Sequence, residues 1–216
     1  MKNTILFDLD GTLVNTFDDL ADATNYAMKM TGNPSVPDYK MRRFIGDGVV
    51  SLVGCALGEN NQTDRKIAGS YFIEYYLSHL TCKTQPYEGV VELITKLKED
   101  GYKLGVVTNK RHSAALIIVE HFFPGQFDYV IGENKIIPRK PAPDMVLLAL
   151  KELSSTKEEC IFIGDSEIDY KTYIGAGITG ITCLYGFSPE NELLSLNPEN
   201  YVHSATELYQ KIKSLT

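Results

Sequence analysis

Short apolar runs alternate with helical patterns along most of the chain. Five of these runs end in a polar residue or a glycine, as do strands that are buried on both faces of a sheet. They span residues 4–8, 102–108, 127–132, 160–164 and 180–185. Apolar residues recur at helical spacing over 89–100 and 143–153, and a further helix is predicted from about residue 204. Strands that alternate with helices predict an α/β fold with a doubly wound parallel sheet.

One long segment interrupts this alternation. From Phe17 to Leu80 the pattern is helical, with a turn-rich break at 31–37 and no strand signal. We therefore predict two domains, an α/β core formed by residues 1–15 and 82–216 and an inserted helical domain formed by residues 16–81. Because the insertion follows the first strand, we expect it at the carboxyl edge of the sheet.

Composition and charge narrow the class of protein. The 216 residues are 44% hydrophobic and 23% charged, which is typical of a globular protein. The net charge of −7 argues against a general binder of nucleic acid or of an anionic membrane. No export signal is visible, since the apolar run 5–7 ends at Asp8, and the four cysteines form no CxxC pair. We expect a cytoplasmic protein whose cysteines are reduced and mostly buried.

Polar residues follow the predicted strands at the ends where open α/β sheets bind ligands. Asp8 and Asp10 follow the first strand, Thr108 and Asn109 the second, and Asp165 the fourth. Residues two apart point to the same side of an extended chain, so Asp8 and Asp10 are predicted to lie together, with Asp165 as a third carboxylate. A cluster of carboxylates suits Mg²⁺ rather than zinc.

Groups that bind a phosphoryl group are predicted at the same edge. Thr108 and Asn109 offer hydrogen-bond donors, and Lys140, in the loop after the third strand, offers a cation. Lys110 and Arg111 are expected to be surface charges. Donors, a cation and a carboxylate-bound metal are what phosphoryl transfer requires. One carboxylate, ionised at pH 7, is able to act as the nucleophile, and a second, protonated carboxyl is able to protonate the leaving oxygen.

Four motifs, in this order along the chain, resemble those of the haloacid dehalogenase (HAD) superfamily. They are FDLDGTL at 7–13, Thr108-Asn109, KPAP at 140–143 and GDSEID at 164–169. The motifs cover nearly the whole chain, and the insertion between the first and the second matches the helical cap class of the superfamily. The resemblance implies a Rossmann-like core, an α-helical cap of the C1 type and Mg²⁺ as cofactor.

The resemblance also implies a role for each motif residue. Asp8 would be the nucleophile that forms an aspartyl-phosphate, and Asp10 would be the general acid/base and would bind Mg²⁺ through its main-chain carbonyl. Asp8 and Asp165 would be further metal ligands, and Asp169 would orient metal-bound water or Lys140. The phosphoryl oxygens would be held by Thr108, Asn109 and Lys140.

Comparison within the superfamily indicates the reaction. Haloacid dehalogenases and phosphonoacetaldehyde hydrolases lack the second aspartate of the first motif, so Asp10 favours cleavage of a C–O–P linkage. The segment 43–53 resembles the Gly-rich cap segment of phosphoglycolate phosphatases, which faces the leaving group. Arg43, Gly46 and Gly48 are therefore candidate substrate contacts. Residues 16–30 contain no His, unlike the first cap helix of β-phosphoglucomutases.

These observations predict a Mg²⁺-dependent phosphatase of the phosphoglycolate phosphatase type, acting on a small phosphorylated metabolite. Four alternatives stay open at this point. Two are other HAD phosphatases, a 5′-nucleotidase and a pyrophosphatase. The third is a β-phosphoglucomutase-like mutase, and the fourth is a phosphate-binding protein without catalytic activity.

Overall fold

The computed structural model describes residues 2–59 and 61–216. The contacts divide the chain into two compact units, one formed by Met1–Asn15 and Pro86–Thr216 and the other by Thr16–Gln85. The strands are β1 (Thr4–Phe7), β2 (Val14–Asn15), β3 (Gln85–Pro86), β4 (Lys103–Arg111), β5 (Tyr129–Glu133), β6 (Cys160–Gly164), β7 (Thr179–Cys183) and β8 (Tyr201–Val202). The helices are α1 (Phe17–Met30), α2 (Asp38–Met41), α3 (Gly48–Leu57), α4 (Arg65–Leu77), α5 (Val90–Glu99), α6 (His112–Phe122), α7 (Asp144–Glu152), α8 (Glu167–Ala176), α9 (Glu190–Ser195) and α10 (Ala205–Leu215), with a 3₁₀ turn at Arg42–Phe44.

The α/β unit contains a six-stranded sheet of order β5-β4-β1-β6-β7-β8. All of its strand pairs are parallel, and β1 lies between β4 and β6, with Ile5 opposite both Leu104 and Ile161. The prediction of a parallel α/β sheet is confirmed. The chain extends the sheet from β1 to β4 and β5 on one side and from β6 to β8 on the other, so the strand order reverses at β1.

Burial explains why the strands could be read from the sequence. Every residue of β1 and of β6 is buried, as expected for central strands covered on both faces. Helix α5 buries Val90, Leu93, Ile94 and Leu97, which are the apolar residues at helical spacing. The core therefore lies between the sheet and its flanking helices.

The helical unit contains helices α1 to α4, and residues 17–80, as far as the structure describes them, form no strand. The compact unit ends at Gln85, whereas the sequence pattern places the end of the insertion at residue 81. The buried Asp19 of α1 accounts for this difference. Its carboxylate accepts hydrogen bonds from the Lys83 amide at 3.1 Å and from the Thr84 amide and hydroxyl at 2.8 and 2.7 Å. These bonds bind residues 83 and 84 to α1.

The four cysteines differ in their exposure to solvent. Cys160 and Cys183 are buried free thiols, as expected, but Cys55 and Cys82 are exposed, so the expectation that the cysteines are mostly buried is wrong for the helical unit.

Among the residues that the structure describes, no helix is long and apolar enough to cross a membrane.

Candidate active site

The carboxyl ends of β1, β4 and β6 carry the candidate active site. Asp8 follows β1, Thr108 and Asn109 lie at the end of β4, and Asp165 follows β6. The strand order reverses at β1, and ligands of open α/β sheets bind at such a reversal. The structure therefore brings together, on one unit, motif residues that are up to about 160 positions apart in the chain.

Lys140 is the centre of a buried ion-pair network. Its Nζ atom lies 2.8 Å from Asp8 Oδ1 and 2.6 Å from Asp169 Oδ1. Asp169 is fixed in turn, because its Oδ2 atom accepts hydrogen bonds from the Ser166 amide at 3.1 Å and hydroxyl at 2.6 Å. These bonds belong to a capping box at the start of α8. The helix cap thus positions Asp169, and Asp169 positions the lysine beside Asp8.

Asp165 is held by two donors and enclosed by two glycines. The Thr12 hydroxyl donates to Oδ1 at 3.0 Å, and the Phe187 amide donates to Oδ2 at 2.8 Å. A Cβ atom at Gly11 would lie 2.2 Å from Asp165 Oδ2, and one at Gly186 would lie 2.3 Å from the same oxygen. Gly11 also has a φ of +86°, which favours glycine. The backbone approaches Asp165 closely only because neither position has a side chain.

The side chains of Asp8, Asp165 and Asp169 form an acidic cluster. Each offers a carboxylate oxygen, and these oxygens lie within 4.8 Å of one another. Three carboxylates against the one ammonium of Lys140 leave a formal charge of two minus when all are ionised. Carboxylate oxygens are hard ligands that suit Mg²⁺, and a divalent cation would balance that charge. The residues present therefore fit a magnesium ion.

The buried charges perturb one another. Burial raises the pKa of Asp8 to about 6, with Lys140 opposing the rise and Asp169 adding to it. Burial, followed by the neighbouring charges of Asp169 and Asp8, raises the pKa of Asp165 well above its usual range. Burial lowers the pKa of Lys140, but the two aspartates outweigh this effect and raise it to about 12. The lysine stays charged, whereas Asp8 and Asp165 resist ionisation without a further cation.

This electrostatic imbalance predicts how metal and pH affect stability. The pKa of Asp8 rises on folding from 3.8 to about 6. The folded state therefore binds more protons than the unfolded state in this window, and this group's contribution to the free energy of unfolding falls as pH rises. Mg²⁺ relieves the repulsion that remains at higher pH. We expect MgCl₂ to raise the melting temperature more at about pH 7.5 than at about pH 5, measured by calorimetry against EDTA. An equal shift at both pH values, or an equal shift with NaCl of the same ionic strength, would contradict this.

The carboxylate of Asp10 lies outside the acidic cluster and binds a different lysine. Lys110 Nζ donates to both of its oxygens, at 2.8 and 3.0 Å. Lys110 is buried, so the expectation that it is a surface charge is wrong. The ion pair makes this burial possible, because an ammonium group that is removed from water needs an oppositely charged partner. The predicted metal contact through the main-chain carbonyl of Asp10 stays a prediction.

The predicted phosphate-binding residues of β4 are both buried beside Lys140 and Lys110. Asn109 Nδ2 donates to the carbonyl oxygen of Lys140 at 3.0 Å, and Thr108 Oγ1 accepts from the Lys110 amide at 3.2 Å. Asn109 thus fixes the loop that carries the central lysine. Their contact with a phosphoryl group stays a prediction.

The candidate substrate contacts of the insertion lie in the helical unit. Arg43 lies in the 3₁₀ turn, and Gly48 is the first residue of α3. Gly46 and Gly48 have φ angles of +115° and +75°, values that favour glycine. The two glycines therefore shape the turn between Arg43 and α3, and their contact with substrate stays a prediction.

The fold is α/β, and its candidate site combines buried carboxylates with a buried lysine. Residues 5–183 match the model of the family described as haloacid dehalogenase-like hydrolase, and the chain belongs to this family.

Relatives with curated names cover almost the whole chain. The phosphoglycolate phosphatase of Colwellia psychrerythraea is 29% identical over 98% of this chain and 97% of its own length. The phosphoglycolate phosphatase of Nitrosococcus oceani is 30% identical over 94% of this chain and 93% of its own. A crystal structure from Lactobacillus delbrueckii, of a protein provisionally named as a phosphoglycolate phosphatase, superposes with a TM-score of 0.91 at 33% identity. It covers 98% of this chain and 99% of that one.

Proposed function

We propose that this protein is a Mg²⁺-dependent phosphatase that hydrolyses a small phosphate monoester through an aspartyl-phosphate intermediate. Phosphoglycolate is the first candidate substrate, since the relatives described above carry that name. The observation that carries the proposal is the buried network in which Lys140 binds both Asp8 and Asp169, with Asp165 beside them. A cytoplasmic location remains a prediction from the sequence.

Asp8 is the proposed nucleophile. Its carboxylate lies at the end of the central strand, and Lys140 lies 2.8 Å from one of its oxygens. Attack by a carboxylate oxygen on phosphorus would form a mixed anhydride and expel the alcohol, and water would then release phosphate. Lys140, with the donors of Thr108 and Asn109, would neutralise and orient the phosphoryl oxygens during both displacements.

The metal ion would be held by Asp8, Asp165 and the main-chain carbonyl of Asp10, with Asp169 orienting Lys140. When bound, Mg²⁺ would supply positive charge to the phosphoryl oxygens and offset the repulsion between the carboxylates. The donors from Thr12 and Phe187 hold Asp165 in one orientation. Ordering of this kind reduces the reorganisation required on binding.

Asp10 is the proposed general acid and base. Its carboxylate is held by the buried Lys110, and its charge is among those that raise the pKa of Asp8. In the first displacement it would protonate the leaving alcohol, and in the second it would accept a proton from the attacking water. A substrate with a poor leaving group depends most on this protonation.

We propose further that the helical unit is the cap of the enzyme and that Arg43 binds the carboxylate of phosphoglycolate. A charge-assisted pair of this kind is worth about 1.5–3 kcal/mol, or about 10- to 100-fold in affinity. We expect Arg43→Ala to raise KM for phosphoglycolate by about that factor. Ethyl phosphate, which lacks the carboxylate, serves as the matched control substrate. An equal change in KM for both substrates would contradict a contact with the carboxylate.

A panel assay tests the proposed function. Phosphate release would be measured with phosphoglycolate, mononucleotides, sugar phosphates and pyrophosphate, each with MgCl₂ and with EDTA. We expect Mg²⁺-dependent release, with phosphoglycolate giving the highest kcat/KM. A preference for a nucleotide or for pyrophosphate would retain the chemistry and replace the substrate. An isomerised sugar phosphate without free phosphate would identify a mutase, and binding of phosphate without any turnover would identify a non-catalytic protein.

A further inference from the structure

The two aspartates of the first motif have separate lysine partners. Asp8 binds Lys140, which comes from the loop after β5, whereas Asp10 binds Lys110, which comes from the end of β4. The second pair is bidentate, with Nζ–O distances of 2.8 and 3.0 Å. The exposed fractions of the two side chains are 4% for Lys110 and 13% for Asp10. Two contacts from one ammonium restrict the rotation of the Asp10 carboxylate far more than one contact does.

An irregularity in the pairing of β4 with β5 places the Lys110 side chain beside Asp10. The pairing of β4 with β5 is regular up to Thr108 opposite Gly132 and resumes at Arg111 opposite Glu133, so β4 has two additional residues at this point. Consecutive residues of a regular strand point to opposite faces. Here the consecutive Asn109 and Lys110 are both buried and both contact site residues, which a bulge makes possible.

Gly132 of β5 accommodates this bulge. A Cβ atom at position 132 would lie 2.4 Å from the carbonyl oxygen of Lys110 and 2.8 Å from the Cα atom of His112. Both contacts are with backbone atoms, so they could be relieved only by moving the strand. Because residue 132 is a glycine, β5 is able to lie close to the bulge in β4. The bulge in turn directs the Lys110 side chain toward Asp10.

We propose that Lys110 is a positioning residue that holds the Asp10 carboxylate apart from the acidic cluster and aimed at the leaving-group oxygen. The inference rests on the proposed function, because it gives Asp10 its acid and base role. The carboxylates of Asp8, Asp165 and Asp169 already converge, and a freely rotating Asp10 carboxylate would be drawn to the same cation. The ion pair with Lys110 restricts this rotation, and its ammonium would stabilise the carboxylate that Asp10 becomes once it has given its proton to the leaving oxygen.

The test compares two substrates that differ in the leaving group. Phosphoglycolate has a poor, aliphatic leaving group, and p-nitrophenyl phosphate has a good one. The ratio kcat/KM reports the steps up to loss of the leaving group, and general acid catalysis is worth about 10²–10⁴-fold there. We expect Lys110→Met to lower kcat/KM by about 10–100-fold with phosphoglycolate and by less than about 3-fold with p-nitrophenyl phosphate. Lys110→Arg keeps the charge, so with phosphoglycolate it should lose less activity than Lys110→Met does.

A double mutant isolates the action through Asp10. Once Asp10→Asn has removed the acid, adding Lys110→Met should change kcat/KM by less than about 3-fold, because residues that act as one unit are not additive. Lys151→Met, an exposed lysine of α7, is the matched control and should behave as the wild type. Equal losses with both substrates, or full additivity with Asp10→Asn, would overturn the positioning role while leaving the proposed function intact. A wild-type protein inactive on both substrates would overturn both proposals.

Discussion

Asp8→Asn is expected to abolish turnover of every substrate. The amide has nearly the shape of the carboxylate but is a poor nucleophile, and removal of a nucleophile costs on the order of 10⁴-fold or more in kcat. The fold should persist, because Lys140 keeps its 2.6 Å contact with Asp169. The substitution also removes one charge from a cluster in which burial and carboxylate repulsion raise the pKa of Asp8 to about 6. We therefore expect the melting temperature in EDTA not to fall.

The measurement is kcat for phosphate release, together with a thermal unfolding scan in EDTA and in MgCl₂. Loss of the charge at residue 8 should reduce the stabilisation by Mg²⁺. Asp144→Asn, at an exposed position in the first turn of α7, is the matched control and should retain wild-type kcat. Substantial phosphatase activity in a well-folded Asp8→Asn protein would remove Asp8 from the role of nucleophile.

Lys140→Met is expected to impair both catalysis and stability. Lys140 is 1% exposed, and its loss leaves Asp8 and Asp169 buried without a cation. Breaking a buried ion pair by removing one partner costs about 3–5 kcal/mol of the free energy of unfolding. Loss of a preorganised charge at the phosphoryl group costs about 10²–10³-fold in kcat. The measurements are urea unfolding and phosphate release.

The loss of stability should depend on pH in a specified direction. Protonation of Asp8 and of Asp165 removes the uncompensated charge, so the destabilisation should be smaller at about pH 5 than at about pH 7.5. Mg²⁺ should restore part of the stability at the higher pH. Lys151→Met serves again as the exposed control. Unfolding curves for Lys140→Met that match the wild type at both pH values would contradict the network described here.

The central strands could be predicted because burial on both faces makes their sequences almost purely apolar. The strand over 160–164 has the predicted bounds, and the strand that precedes Asp8 was predicted to within one residue. The rule that ligands bind at carboxyl strand ends then selected Asp8, Thr108 and Asp165 without any coordinates. The sequence therefore predicts which polar side chains lie at the carboxyl ends of the central strands.

Lys110 could not be predicted in the same way. Its neighbour Asn109 was assigned to the site, and strand alternation gives consecutive residues opposite faces. The register shift against β5 brings both inward, and that shift depends on the space that Gly132 provides across the sheet. The only sequence signal was a lysine directly after the Thr-Asn motif, which does not distinguish a buried cation from a solvent-exposed one.

Long-range contacts of short segments were also beyond the sequence pattern. The strand Tyr201–Val202 has two residues, too few for a period to be recognised. The amide of Phe187, which holds Asp165, and the Ser166 hydroxyl, which holds Asp169, contribute through geometry that the residue type does not reveal. The link from Asp19 to Thr84, which extends the helical unit to Gln85, joins positions 65 residues apart.

The stereochemical course at phosphorus distinguishes a phospho-Asp8 intermediate from direct attack by water on the substrate. A phosphatase that passes through phospho-Asp8 performs two in-line displacements, and each one inverts the configuration at phosphorus. The measurement would use a phosphorothioate monoester whose two non-bridging oxygens are different isotopes. It would be hydrolysed in water labelled with the third isotope, and the configuration of the released chiral thiophosphate would be determined. The covalent mechanism predicts net retention of configuration. Net inversion would show a single displacement by water and would contradict Asp8 as a covalent nucleophile.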